Sequence, residues 1–136
     1  MPFDLDNLNP SAKFFWQDGE EEWVELRLAA EADNEAMRKQ SGIKQKVEYR
    51  NEKGQMHRIE FVDADEHKVD RFTALANDFA IVNWCLNSKQ GDPIPCTLEN
   101  KLKMIRNSPQ FASWVIACLD KMRDDVSVLE DKETKN

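Results

Sequence analysis

Glycine, histidine and cysteine are scarce in this 136-residue chain, at four, two and three copies. Four glycines do not compose a G-x-G-x-x-G or a Walker loop, and neither motif is present, which argues against nucleotide chemistry on a glycine-rich phosphate cradle. Structural zinc needs four converging ligands. His57 and His67 stand apart, and no cysteine pair has C-x-x-C spacing, so no metal centre is expected. Cys85, Cys96 and Cys118 are odd in number and widely spaced, which fits a reducing cytosol better than a disulfide scaffold. No apolar run approaches the roughly 18 residues that a membrane span needs. The opening Met1-Pro2-Phe3-Asp4 lacks a basic flank and a long apolar stretch, so no signal peptide is expected.

What the chain has is charge, apolar patterning and tryptophan. Net charge is −7, and it is unevenly spread. Residues 1–33 carry nine acids against two bases, whereas residues 34–62 carry four acids against seven bases. An acidic protein meets a Coulomb cost at phosphate backbones, so nucleic-acid binding is not expected. The basic block Lys39, Lys44, Lys46, Arg50, Lys53 and Arg58 alternates with apolar residues, as the wet face of a strand pair would.

Periodicity gives an α+β fold with two N-terminal β-hairpins and a C-terminal bundle of about three helices. Residues 1–12 read as an extended arm. Val24, Leu26 and Leu28 alternate with Glu25 and Arg27 after the Asp18-Gly19 turn, giving a hairpin of 13–17 with 22–28. Residues 31–41 read as a short helix closed by Gly42. A second hairpin turns at Asn51–Gly54, with Val47 and Tyr49 on one face of its first strand and Ile59 and Phe61 alternating along its second. From Asp63 or Asp65, either able to cap, the helical spacing of Val69, Phe72, Ala76 and Phe79 predicts a central helix to about Ser88. Gly91-Asp92-Pro93-Ile94-Pro95 is a stiff connector. Thr97 caps a helix to about 106, and Ser108-Pro109 opens a helix to 123. Residues 1–123 read as one domain, and 124–136 as a disordered polar tail.

No candidate chemistry outweighs a structural account of the same residues. Asp63–His67 is rich in oxygen ligands but lacks the glycine and closing glutamate of a calcium loop, so helix capping is expected. Ser41-Gly42-Ile43-Lys44 matches S-x-x-K without its companion motifs. Cys85 and Cys118 fall on apolar stripes and are expected to pack, leaving Cys96 as the exposed thiol. No convergent catalytic site is legible, so no catalytic residue, cofactor or enzyme activity is expected. Trp84 and Trp114 read as core. Trp16 and Trp23 flank the acidic turn and are the candidate partner-binding anchors.

The stretch Trp84…Gly91-Asp92-Pro93-Ile94-Pro95-Cys96-Thr97-Leu98-Glu99-Asn100, with the following Phe111–Met122 helix, resembles the C-terminal part of tail assembly chaperones of long-tailed bacteriophages and prophages. Trp84, Gly91, Asp92, Pro93, Pro95, Thr97 and Asn100 carry the likeness, and Trp23–Arg27 is similar to the family's opening strand. The hairpin at 43–62 and Cys96 depart from the family pattern. The resemblance implies a non-enzymatic role in the bacterial host cytoplasm, binding the tape measure protein and keeping it soluble while the tail assembles. The tail tube protein and self-association are further partners it leaves open. The competing expectation is a structural tail or head–tail connector subunit retained in the virion.

Overall fold

The computed structural model describes residues 8–134, with side chains to residue 125. The expected arm therefore lies mostly outside the described residues. The described residues form both helices and strands, an α+β protein. In order come β1 (Ala12–Phe15), a single 3-10 turn (Trp16–Asp18), β2 (Trp23–Leu26), α1 (Glu31–Ser41), β3 (Lys44–Glu52), β4 (Gln55–Asp63), α2 (Glu66–Ala80), β5 (Ile81–Cys85), α3 (Leu98–Asn107) and α4 (Pro109–Thr134). The one domain expected from sequence divides into two compact units, 31–76 and the residues flanking that insert.

The flanking unit is built on an antiparallel sheet in the order β1-β2-β5. The first hairpin forms as its alternation predicts, with Phe14 opposite Val24 and Phe15 opposite Trp23. Its third strand corrects the sequence reading. The helix expected to run to Ser88 stops at Ala80, and Ile81–Cys85 pairs with β2, Val24 facing Trp84. A short continuous apolar run does not by itself distinguish helix from strand. A two-stranded ribbon is marginal alone, and Ile-Val-Asn-Trp-Cys, β-branched and aromatic, closes its open edge.

Two cations stop α2 where no glycine does. Lys101 Nζ donates to the Asp78 carbonyl at 3.2 Å, Arg27 Nε to the Phe79 carbonyl at 2.7 Å, and the Arg27 amide to the Ala80 carbonyl at 2.9 Å. These are the carbonyls that a helix end leaves without intrahelical partners, and the positive charges also suit its negative pole. The C-terminal bundle thus reduces to α3 and α4. Thr97 and Ser108 cap them as expected, accepting from the Asn100 and Phe111 amides at 3.2 and 3.3 Å. The backbone of α4 continues to Thr134, through most of the segment read as a polar tail. Val24, Leu26, Ile81, Trp84, Leu86, Phe111, Val115 and Cys118 form the core between sheet and helices.

The inserted unit holds α1, the β3–β4 ribbon and the start of α2. Gly42 ends α1 at a φ of 80°. Ser41, of the S-x-x-K match, is buried and donates its hydroxyl to the Met37 carbonyl at 2.7 Å, a helix back-bond. Asp65 Oδ1 accepts from the Lys68 amide at 2.9 Å and caps α2. Lys53 and Gly54, both at positive φ, make the two-residue turn between β3 and β4. That turn pairs Tyr49 with Arg58 and Glu48 with Ile59. Odd positions of β3 therefore share a face with even positions of β4, and the apolar rows Val47–Tyr49 and Ile59–Phe61 land on opposite faces. Neither face is continuously apolar, and all of β3 is exposed.

Candidate partner-binding site

Alternation along the three-stranded sheet separates an inner row from an outer one. Phe14, Val24 and Trp84 line up toward the core, so Phe15, Trp23 and Cys85 line up on the other face. Trp23 is half-buried there, between exposed Phe15 and exposed Cys85. Cys85 was expected on a buried helical stripe. As a strand residue at the outer face it is solvent-accessible, whereas Cys96 is half-buried and Cys118 buried. Burial pushes the Cys96 thiol up, and the nearby Lys101 charge only partly opposes this. Lys13 Nζ sits 4.1 Å from the centroid of a Trp23 ring, a cation–π contact on this outer row.

Trp16 occupies different surroundings. Its ring meets Trp114 edge-on at 4.9 Å and Phe111 at 5.9 Å, so it covers one end of the core. Trp16 and Trp23 therefore belong to opposite sides of the sheet. Phe15 joins them: it pairs with Trp23 across the strands, and it lines a shallow cavity of about 230 Å³ with Trp16, Gln110 and Trp114. Sequence reasoning missed Phe15. The Phe-Phe-Trp run was its signal, since three successive aromatics on a strand cannot all face one core.

An acidic rim borders the aromatics. Asp18, Glu20, Glu21 and Glu22 line a second open cavity with Trp16 and Asn87. The loop is held in place by the Trp16 amide donating to the Glu22 carbonyl at 2.9 Å and by the Asn87 amide donating to Glu22 Oε2 at 3.0 Å. Aromatics on a strand pair beside clustered carboxylates suit an apolar helix face flanked by lysine or arginine.

The connector residues are engaged inside the fold. Trp84 Nε1 donates to the Ile94 carbonyl at 2.7 Å, and the Ile94 amide donates to the Leu86 carbonyl at 2.8 Å. Pro93 pairs with Asn87 in an isolated β-bridge, and Gly91 turns the chain at a φ of 88°. The Asp92 carbonyl accepts from the Ser88 amide at 2.7 Å. Asn100 Nδ2 donates to the Pro95 carbonyl at 2.8 Å, while its amide caps onto Thr97. The connector is thus a hydrogen-bonded loop that returns beside the end of β5.

Among the described residues no three His, Cys, Asp or Glu side chains come together as a metal-ligand set, and no helix is long and apolar enough to cross a membrane. Comparison of the chain with protein-family models, with curated proteins and with solved structures finds no match.

Proposed function

We propose that this protein is a non-enzymatic tail assembly chaperone of a long-tailed phage or prophage. In this reading it works in the host cytoplasm and holds the tape measure protein soluble while the tail tube polymerises. The observation that carries the reading is the outer-face Phe15–Trp23 row, exposed at Phe15 and half-buried at Trp23, beside the acidic 18–22 loop. A long helical client exposes apolar stripes, and such a stripe with basic flanks would bury Trp23 as an anchor and set its cations against the carboxylates. The hydrogen-bonded connector from Trp84 to Asn100 supports the same reading, because the residues that carry the resemblance serve to position the helices.

The test is co-expression of the tape measure protein of the same phage, with and without this chain. The expected result is soluble client that co-purifies with the parent protein. Phe15→Ala with Trp23→Ala should lower client recovery while the protein stays folded by circular dichroism. Trp16→Ala is the weaker probe, since it also opens the stack on Phe111 and Trp114. Client solubility that is equal with and without the chain would refute the chaperone. Finding the chain in mature particles would favour a structural tail or connector subunit.

A further inference from the structure

Most of the β3–β4 ribbon is exposed, and among the described residues no third strand pairs with either of its edges. Val47, Tyr49, Met56 and Val62 are 45%, 64%, 68% and 58% exposed, and they share one face. A ribbon of two strands is marginal in water, and its unpaired edges are templates for another strand. The turn decides which backbone groups are free. Glu52 and Gln55 flank the two-residue turn and form its closing hydrogen-bonded pair. By alternation, Met56, Arg58, Glu60 and Val62 point their N–H and C=O groups away from β3.

The two edges differ in how they are guarded. β3 carries Lys44, Lys46, Glu48, Arg50 and Glu52, the dense charge that keeps strand edges apart. β4 has no lysine, proline or glycine, and its stretch Met56-His57-Arg58-Ile59-Glu60-Phe61-Val62 is electrically balanced and rich in β-formers.

We infer that β4 is the interface with a second copy of this chain, paired antiparallel to itself about a two-fold axis at Ile59. In that register Arg58 faces Glu60 of the second copy, and Glu60 faces its Arg58. Met56 faces Val62, His57 faces Phe61, and Ile59 faces Ile59. Each outward N–H and C=O of Met56, Arg58, Glu60 and Val62 then has a partner across the axis, because these residues meet only one another. Sliding the two-fold axis to either neighbouring residue sets Arg58 against itself or Glu60 against itself, and like charges directly opposite are destabilising. The sequence of β4 thus selects one register. The product is a four-stranded sheet in the order β3-β4-β4-β3, which gives the ribbon the strands it lacks. This inference does not rest on the proposed client.

Analytical ultracentrifugation of the whole chain, from micromolar concentrations upward, should show a monomer–dimer equilibrium. Arg58→Glu alone and Glu60→Arg alone each place like charges opposite at both symmetric positions, and should weaken the dimer by about tenfold. Arg58→Glu with Glu60→Arg restores opposite charges and should recover parental affinity. A second measurement does not depend on these charges. Non-hydrogen-bonded partners in an antiparallel pair have Cα atoms about 4.5 Å apart, within disulfide range. In a Cys85→Ser background, mild oxidation should therefore cross-link Ile59→Cys to itself, while the background protein stays uncross-linked. A monomer at every concentration would overturn the inference. So would a double variant no tighter than either single one, or cross-linking through Tyr49→Cys on the β3 edge in place of Ile59→Cys.

Discussion

Lys101→Ala tests how α2 is brought to a stop. Lys101 is 8% exposed, and its ammonium makes two hydrogen bonds, at 3.2 Å to the Asp78 carbonyl and 3.0 Å to Asp78 Oδ1. A hydrogen bond to a charged group contributes about 1.5–3 kcal/mol. The Asp78 side chain is 43% exposed, so water re-solvates its carboxylate after truncation, which reduces the loss. The helix-end carbonyl and the deleted methylenes are not so easily compensated. The expected destabilisation is about 2 kcal/mol, measured by urea unfolding followed through tryptophan fluorescence. Lys101→Met keeps the stem and removes the cost of burying a charge, and should fall within about 1 kcal/mol of the parent. Because Lys101 is buried, raising the salt concentration should leave the Lys101→Ala difference nearly unchanged. A loss below about 0.5 kcal/mol, or one that fades in high salt as an exposed pair's contribution would, refutes this account of the helix end.

Three further outcomes are expected. Lys46 donates to the Asp63 carboxylate at 3.1 Å, and this hydrogen bond, then the Lys46 charge and that of Lys68, hold Asp63 below the usual aspartate value of 3.8. A carboxylate so depressed in the folded state stabilises above its unfolded pKa and loses that contribution as pH falls below 3.8 through the folded value. An NMR titration should place Asp63 below that value, and Lys46→Ala should raise it; an unmoved midpoint would remove Lys46 as the cause. Replacing Pro93 and Pro95 together with glycine should destabilise by roughly 0.5–1 kcal/mol for each site through added unfolded-state entropy. Trp84→Phe, which deletes the indole donor to Ile94, should cost about 1 kcal/mol or more. Parental urea midpoints in both variants would mean that the connector is not a rigid element.

The sequence by itself determined the local elements. Alternation placed both hairpins. Gly42, Thr97 and Ser108-Pro109 fixed helix boundaries, because capping is a short-range exchange of hydrogen bonds. The fate of Ile81–Cys85 was not local. Its apolar run satisfies a buried helix or a buried strand equally, and only the open edge of β2 made it a strand. That choice also carried Cys85 to the surface and brought Asp78, Phe79 and Ala80 to Arg27 and Lys101, two cations whose roles no spacing rule reveals. Trp23 was legible as a candidate anchor because it flanks an acidic turn. Phe15 had a signal in the Phe-Phe-Trp run that went unread, whereas the covered setting of Trp16 depends on where α4 lies against the sheet. In the β3–β4 ribbon each strand's pattern was visible, but which rows share a face was set by cross-strand register. A two-residue turn joined odd positions to even ones and left apolar side chains on both faces. Periodicity is a property of one segment, whereas pairing is a property of two, and the site and the proposed interface both arise from pairing.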